Sequence, residues 1–505
     1  MESIMTPACT RRALVGGLAG ATIAAATLSS PKPGSASTPQ TWDMEADIVV
    51  CGLGIAGIGA AVEAADAGAS VIVLEKEPPE TAGGDSMCND GGIFWSNTEP
   101  DMLALMSMGE WSKERCQAMK EEASGITEFL NRGDVVWRNS GDAVDYVEGG
   151  GPAFYEAARR VAEASGAQIL YSTPAKRLAV DPETGEISGV YANQNGTEIA
   201  VRAAKGVVLA TGSYCANEDL VKMLNMGGDM DYYSIGSPYI QGDGLKMACS
   251  VGGSLANLWR GLEPDYPVCK QASEELGMAI CLARPEHYIQ PSYITVNAHG
   301  KRYWCEDTFM THWKGNTYGQ VSYANYAYDN KPSFLVFDQA CFDAQSVGNT
   351  SWSYGYAVLS PTEAYLWSED NSAELERGWI KKADTLEGLA ELAGIDPEGL
   401  ASEVERFNGF AQAGQDDDFG RASMAPLGEG PYYAIEQGVS IIYSISGVRA
   451  DERARVLDWD GNPIPRLYSA GNIGQGVYLI PIGLQGCWAE GRFAARDAAA
   501  LEPRA

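Results

Sequence analysis

The chain has 505 residues, 45% of them hydrophobic and 20% charged, enough for about two or three domains around a large core. Its formal net charge of −31 repels nucleic acid and anionic lipid headgroups, and suits a soluble surface or a basic electron-transfer partner. The 11 cysteines include no CxxC or CxxCH, which excludes c-type haem attachment and the usual clustered iron–sulfur spacings, and with only 3 histidines no metal site is expected.

The first predicted element is a targeting segment. Arg11 and Arg12 stand directly before a weakly apolar Ala/Gly run over 13–28, and the small residues Gly34-Ser-Ala-Ser37 follow. The pattern reads as a twin-arginine signal, which exports folded, cofactor-loaded proteins. An ordinary secretory leader and an N-terminal anchor are the alternatives. The run is too poor in Leu, Ile and Phe to span a membrane, and the mature chain is expected to have no span. The expected location is the periplasm or the outer face of the cytoplasmic membrane. Residues 1–42 comprise this signal and a Ser/Pro/Thr linker.

Asp47-Ile-Val-Val-Cys-Gly-Leu-Gly-Ile-Ala-Gly57, then Val71-Ile-Val-Leu-Glu75, predict strand, glycine turn, helix over 58–67, strand and acid. Gly52 permits the tight turn, Gly54 lets backbone N–H groups approach a pyrophosphate, and Gly57 lets the helix pack close to the sheet. Glu75 lies 23 residues after Gly52, the distance at which a carboxylate meets a ribose hydroxyl. A glycine-rich turn in an unrelated α/β fold is the alternative. Further along, 168–171 and 175–180 read as strands. A hairpin turns at Asp181-Pro-Glu-Thr-Gly-Glu186, residues 189–192 return, and Gly206-Val-Val-Leu-Ala-Thr-Gly212 is a buried parallel strand ending in a small-residue turn. Residues 260–442 carry no nucleotide fingerprint, are rich in aromatics, and include helical stretches at 384–393 and 397–411, which suggests an inserted domain. The chain returns with strands near 455 and 467 and a final helix over 483–500. The predicted domains are therefore 43–259 and 443–505 for the nucleotide-binding fold, with 260–442 inserted.

These blocks, in this order, resemble the fumarate reductase/3-ketosteroid dehydrogenase superfamily of FAD flavoproteins. Gly83-Gly-Asp-Ser86 with Gly91-Gly92 is similar to the family's GGNS…GG. Leu209-Ala-Thr-Gly212, Gly242-Asp-Gly244, Asn297-Ala-His-Gly-Lys-Arg-Tyr303, Leu467-Tyr-Ser-Ala-Gly471 and Glu490-Gly-Arg492 follow. The resemblance implies a Rossmann-type α/β FAD-binding domain with an inserted α+β clamp, and FAD, which is expected to be held non-covalently because no linking histidine stands near the glycine motifs. It implies that Gly52, Gly54, Ala56 and Gly57 hold the pyrophosphate, with Glu75 and Lys76 at the adenosine ribose. Gly84, Asp85, Ser86, Gly91 and Gly92 would lie along the flavin, Asp85 replacing the family's Asn. Ala175 would meet adenine, and Thr211, Gly212 and Asp243 would approach the cofactor. Asn472 stands where Glu is usual. Gly483 and Leu484 would offer N–H groups to the flavin pyrimidine edge, aided by the helix dipole.

The departures from the family bear on substrate. Fumarate reductases grip two carboxylates with His and Arg, and use an Arg as proton donor. Here the proton-donor position falls on Met310, a His position on Tyr443 and a carboxylate-binding Arg position on Tyr478. A dicarboxylate would find little positive charge. A tyrosine-lined pocket suits a neutral enone or enoate whose oxygen must be polarised. Tyr478 with Gly483 is similar to the carbonyl-gripping Tyr–Gly pair of the steroid enzymes, spaced by five residues instead of four. Tyr146 resembles a loop tyrosine of those enzymes, and His312 is a candidate replacement for the lost acid. Any of the 24 tyrosines could equally be a packing residue. The leading expectation is a respiratory-type C=C reductase, fed by an external cytochrome or quinol-linked partner and active in anaerobic respiration. The alternatives are a ketosteroid-type dehydrogenase running in reverse, and a non-catalytic flavin-fold binding protein.

Overall fold

The computed structural model describes residues 36–37, 39, 41–89, 91–94, 112–139, 144–224, 232–258, 262–283, 288–308, 321–322, 327–328, 330–348, 365–444, 446–474 and 483–504. The chain opens its main sheet with β1 (Met44–Cys51), in which Ile48, Val49, Val50 and Cys51 have no exposed surface. Such burial on both faces marks a central parallel strand. After the glycine turn comes α1 (Ile55–Asp66), which starts at Ile55, earlier than 58, because Gly54 is already extended at ψ 177° and serves as its N-cap. β2 (Val71–Leu74) then pairs parallel to β1, Ile48 opposite Val71. α2 (Gly150–Ala164) leads into β3 (Gln168–Leu170), parallel to β2. β4 (Ala175–Val180) and β5 (Ile187–Gln194) form the expected hairpin.

β6 (Thr197–Leu209) is longer than the sequence suggested. Its first half, 197–202, pairs antiparallel with β5, while 207–209 pairs parallel with the strand Pro463–Ser469. Its other edge runs parallel to β1, with a register shift between Ala203 and Gly206. Arg202 and Lys205 disguised the first half as a loop. Both reach C-terminal carbonyls, Arg202 that of Arg504 at 3.0 Å and Lys205 that of Ala499 at 2.9 Å. The strand is followed by α3 (Asp243–Ser250).

A second, mostly antiparallel sheet contains β7 (Tyr293–Asn297), β8 (Ser333–Asp338) and β9 (Tyr432–Ser444). β9 also pairs with Leu262–Cys269 and Lys381–Ala383, and runs parallel to Tyr232–Ser234. It crosses position 442/443 without a break. Helices Leu386–Ala393 and Pro397–Ala413, capped by Thr385 and Asp396, lay Leu389, Leu400, Val404 and Phe407 against Ile294, Val296, Phe334 and Val336. The chain then returns to the first sheet through β10 (Pro463–Ser469) and ends in α4 (Gly483–Ala499). α4 crosses α1 with backbones nearly touching: a Cβ on Gly491 would stand 2.0 Å from Ala56 O. Among the described residues, no helix is long and apolar enough to cross a membrane.

The second sheet is anchored by buried charge. The Arg302 guanidinium bonds Glu306 at 2.7 Å and Asp416 at 2.9 Å and lies 5.1 Å from the rings of Phe407 and of Phe419, with no exposed side-chain surface on any of the three charged groups. Arg421 stands over Tyr293 at 4.0 Å and donates to Tyr293 O at 2.7 Å. Burial pushes the Asp416 carboxyl up, but the Arg302 guanidinium prevails and holds it below the usual carboxylate range. Its stabilisation is therefore complete above the ordinary carboxylate pKa and is lost as pH falls through the depressed value. Arg302→Leu removes the cation shared by two buried carboxylates and is expected to cost about 3–5 kcal/mol. Lys301→Leu removes a half-exposed ammonium from Glu403 at 3.6 Å and from Gly399 O at 3.4 Å, and should cost less, about 1 kcal/mol. Denaturant midpoints of the two variants measure the difference.

Candidate functional site

The carboxyl ends of β1, β2, β6 and β10 open onto a cleft of about 880 Å³, part of it open to solvent. This is where parallel α/β sheets place their ligands. The glycine turn forms its floor, and its glycines divide by cause. Gly52 has φ +104°, and a Cβ there would lie 2.4 Å from Ala210 O; a Cβ on Gly57 would lie 2.0 Å from Gly52 O. Both are demanded by the protein's own backbone packing. A Cβ on Gly54 would meet nothing nearer than Ser86 Oγ at 3.4 Å, an ordinary contact. Nothing in the fold requires glycine there, so the space above Gly54 is a cradle for an incoming group. The first-turn N–H groups of α1 point to the same place without helical partners.

Gly52, Gly54 and Ala56 line the cleft, with Glu75 and Lys76 at the end of β2. Glu75 is 6% exposed, and its two oxygens accept from Leu53 N and Glu77 N, both at 2.8 Å. Burial raises its pKa against those two bonds and Lys76. The carboxylate thus pins the glycine turn to the strand end, work that its sequence spacing did not reveal. Lys76 bridges to Asp243 at the start of α3, 2.8 Å apart. Gly84, Asp85 and Ser86 form a short 3₁₀ turn on the wall; Ser86 Oγ accepts from Ile55 N at 2.9 Å, satisfying one donor of the α1 terminus. Ala175, Thr211 and Gly212 also line the cleft, and Thr211 Oγ1 accepts from Gly244 N at 3.0 Å.

Asn472 and Leu484 complete the lining from the returning chain. The turn at Gly471 is held from behind: Gly471 N donates to Glu490 Oε2 at 2.9 Å, and Glu490 Oε1 meets the buried Arg115 at 3.0 Å. Arg115 also donates to Asp451 O at 2.5 Å. Glu490 was read only as part of a closing motif, and Arg115 carried no sequence signal at all. Tyr239, Ile240 and Cys487 also line the cleft and were missed.

Four expected cofactor contacts lie outside the lining. Gly57 is spent beneath Gly52. A Cβ on Gly91 would stand 2.9 Å from Gly150 C, and Gly92 pairs with Tyr146. Gly483 opens α4 as an exposed residue. Of the catalytic candidates, Tyr146 sits in the strand Val144–Val147 with the Arg138 guanidinium 5.2 Å from its ring. Tyr443 is half-buried near the end of β9, in register with Glu263. Tyr478, His312 and Met310 lie outside the described residues.

Because Gly54 is free of packing demands and Gly57 is not, their substitutions should behave differently. Gly54→Val is expected to keep the apoprotein's melting temperature and lose FAD affinity by at least about tenfold, or about 1.4 kcal/mol. Gly57→Ala should lower stability itself, because its methyl overlaps a carbonyl oxygen. Thermal melts of apoprotein and flavin content after purification distinguish the two.

The described geometry can be set against known proteins. A family model described as "FAD binding domain" matches residues 47–154 and 92–479. The digoxin reductase of Eggerthella lenta is 28% identical over 92% of this chain and 88% of its own length. A cytochrome-type fumarate reductase of Shewanella frigidimarina is 28% identical over 86% of this chain and 72% of its own. In fold, the chain is similar to the 3-ketosteroid Δ1-dehydrogenase of Sterolibacterium denitrificans, with TM-score 0.71, 20% identity and coverage of 90% and 99% of the two chains. The cradle at Gly54, the helix terminus and the long cleft fit FAD. The chain belongs to this FAD-binding flavoprotein family and is an FAD-dependent oxidoreductase acting on C=C bonds.

Proposed function

We propose that this enzyme is an exported reductase of an activated C=C bond in a neutral or aromatic enone or enoate, with electrons from an external redox partner. The carrying observation is the residue set Met310, Tyr443 and Tyr478, uncharged where the resemblance requires His and Arg for a dicarboxylate. Digoxin reductase, a relative along most of the chain, bears a name in keeping with a large substrate. The segment 260–442 acts as the clamp over the cleft.

FAD when bound supplies two-electron transfer to or from carbon. The chain's part is to hold the acceptor and polarise it. Tyr478 and Tyr443 hydroxyls, with the Gly483 N–H, donate to the carbonyl oxygen as negative charge develops there, in a site from which water is excluded. His312 or Tyr146 delivers the proton at carbon. A net charge of −31 favours a basic cytochrome or quinol-linked donor, whose association would weaken with salt.

The test mixes dithionite-reduced holoenzyme anaerobically with enones, cinnamate-type acids, steroids and fumarate. Re-oxidation by the best neutral acceptor should exceed that by fumarate at least about tenfold; equal rates overturn the reading. Tyr478→Phe should slow single-turnover re-oxidation about 100- to 1000-fold, the usual loss for one oxyanion donor, with FAD content unchanged. If Tyr478→Phe and Tyr443→Phe both stay within about threefold of wild type, neither is an oxyanion donor. The reverse, ketosteroid-type reaction is favoured instead if the oxidised enzyme desaturates a saturated ketone faster than the reduced enzyme reduces its product. Export is read separately: replacing Arg11 and Arg12 together by Lys should leave the precursor in the cytoplasm.

A further inference from the structure

The wall of the cleft holds a carboxylic acid in surroundings that suit an uncharged group. Asp85 sits in the 3₁₀ turn Gly84–Ser86 and lines the cleft. Its Oδ1 accepts from Ser237 N at 2.8 Å. Its Oδ2 is enclosed and makes no hydrogen bond of ordinary length among the described residues, the Asn472 side chain approaching the carboxyl only as a weak donor. Three buried thiols are coupled to it among the described residues: Cys88 three residues on, Cys215 after β6, and Cys487 on α4, each raised by burial. The Asn472 amide lies alongside and accepts from Cys487 Sγ at 3.4 Å. The described cation lining the cleft, Lys76, is committed to Asp243 at 2.8 Å, and Arg115 nearby is committed to Glu490 at 3.0 Å. Glu75 is engaged by two backbone N–H groups. Burial already pushes the Asp85 carboxyl up to about 7, against the Ser237 bond and the Asn472 side chain.

Filling this cleft changes both terms in one direction. FAD displaces the remaining water from the wall, and its pyrophosphate adds negative charge to the same cleft. Both disfavour a carboxylate and leave a carboxylic acid unaffected.

We propose that Asp85 holds its proton in the FAD-loaded protein and lies against the cofactor as a neutral acid, so that loading takes up one proton and alkaline pH drives release.

The sign follows from linkage. A carboxyl whose pKa is higher in the loaded than in the empty protein favours loading fully at low pH. Affinity then declines as pH rises above the empty-state value, until the loaded-state value is reached. FAD itself has no group that titrates in the neutral range, and the thiols are raised away from it.

The test uses full-length holoenzyme diluted in buffers from about pH 6 to about pH 9, with FAD release followed by the recovery of its fluorescence. The wild-type dissociation constant should rise about tenfold per pH unit above neutrality. Asp85→Asn, which is uncharged at every pH and nearly the same shape, should hold the low-pH affinity to within about threefold across the range. A second measurement needs no variant. Calorimetric titration of apoprotein with FAD near pH 8, in buffers of different ionisation enthalpy, should report uptake of about one proton. A dissociation constant with the same pH profile in wild type and Asp85→Asn, or a binding enthalpy independent of buffer, overturns the proposal. Neither readout involves the substrate, so the outcome stands apart from that of the C=C reductase reading.

Discussion

The whole site depends on one contact between backbones. The carbonyl of Gly52 presses against Gly57, where a Cβ would come within 2.0 Å, and Gly52 itself presses against Ala210 O at the end of β6. This contact fixes where α1 begins, and with it the direction of its unpaired N–H groups. It also fixes the distance between β1 and β6, whose parallel register brings Cys51 level with Leu209. Glu75 locks the arrangement from the end of β2 through Leu53 N. Side chains then need only line a cleft whose backbone is already set.

Legibility in the sequence followed the range of the interaction. The glycine turn and both flanking strands are local and were read correctly, because a parallel central strand and a tight turn each leave a pattern within a few residues; the position of Glu75 was legible, but its bonds to Leu53 N and Glu77 N were not. Helix Pro397–Ala413 was read at 397–411, and the structure adds its Asp396 cap and the proline at its first position. Contacts made across the whole chain left no such trace. Arg115 meets Asp451 O across 336 positions, and nothing in the residues around Arg115 distinguishes it from a surface arginine. The first half of β6 was lost because Arg202 and Lys205 break the apolar run, although their charged ends reach to the C-terminal segment. β9 runs through the expected domain boundary because its pairing partners lie at 232–234, 262–269 and 381–383, far from it in sequence.

Charge is used in opposite ways in the two halves of the molecule. The second sheet encloses a complete ion cluster, Arg302 and Arg421 with Glu306 and Asp416, stacked on Phe407 and Tyr293. Such a cluster contributes little to net stability compared with apolar packing, but tolerates no loss of a member, and so specifies one arrangement of the chain. It ties the Asn297–Tyr303 turn to the helix Pro397–Ala413 from inside. The FAD cleft instead keeps its few charges paired at the rim, or coupled to backbone N–H groups, and leaves the wall at Asp85 free of cations among the described residues.

The crossing of α1 by α4 has a consequence for biogenesis. The turn that receives the cofactor is made long before the helix that closes behind it. Gly491 seats on Ala56 O, and Arg496 bonds Glu63 across 433 positions. Until α4 has left the ribosome, this nucleotide turn has no back wall, and a cofactor captured then would have only part of its pocket. A complete pocket therefore waits for α4, and a chain lacking that helix would carry every glycine of the fingerprint and no closed site to use them.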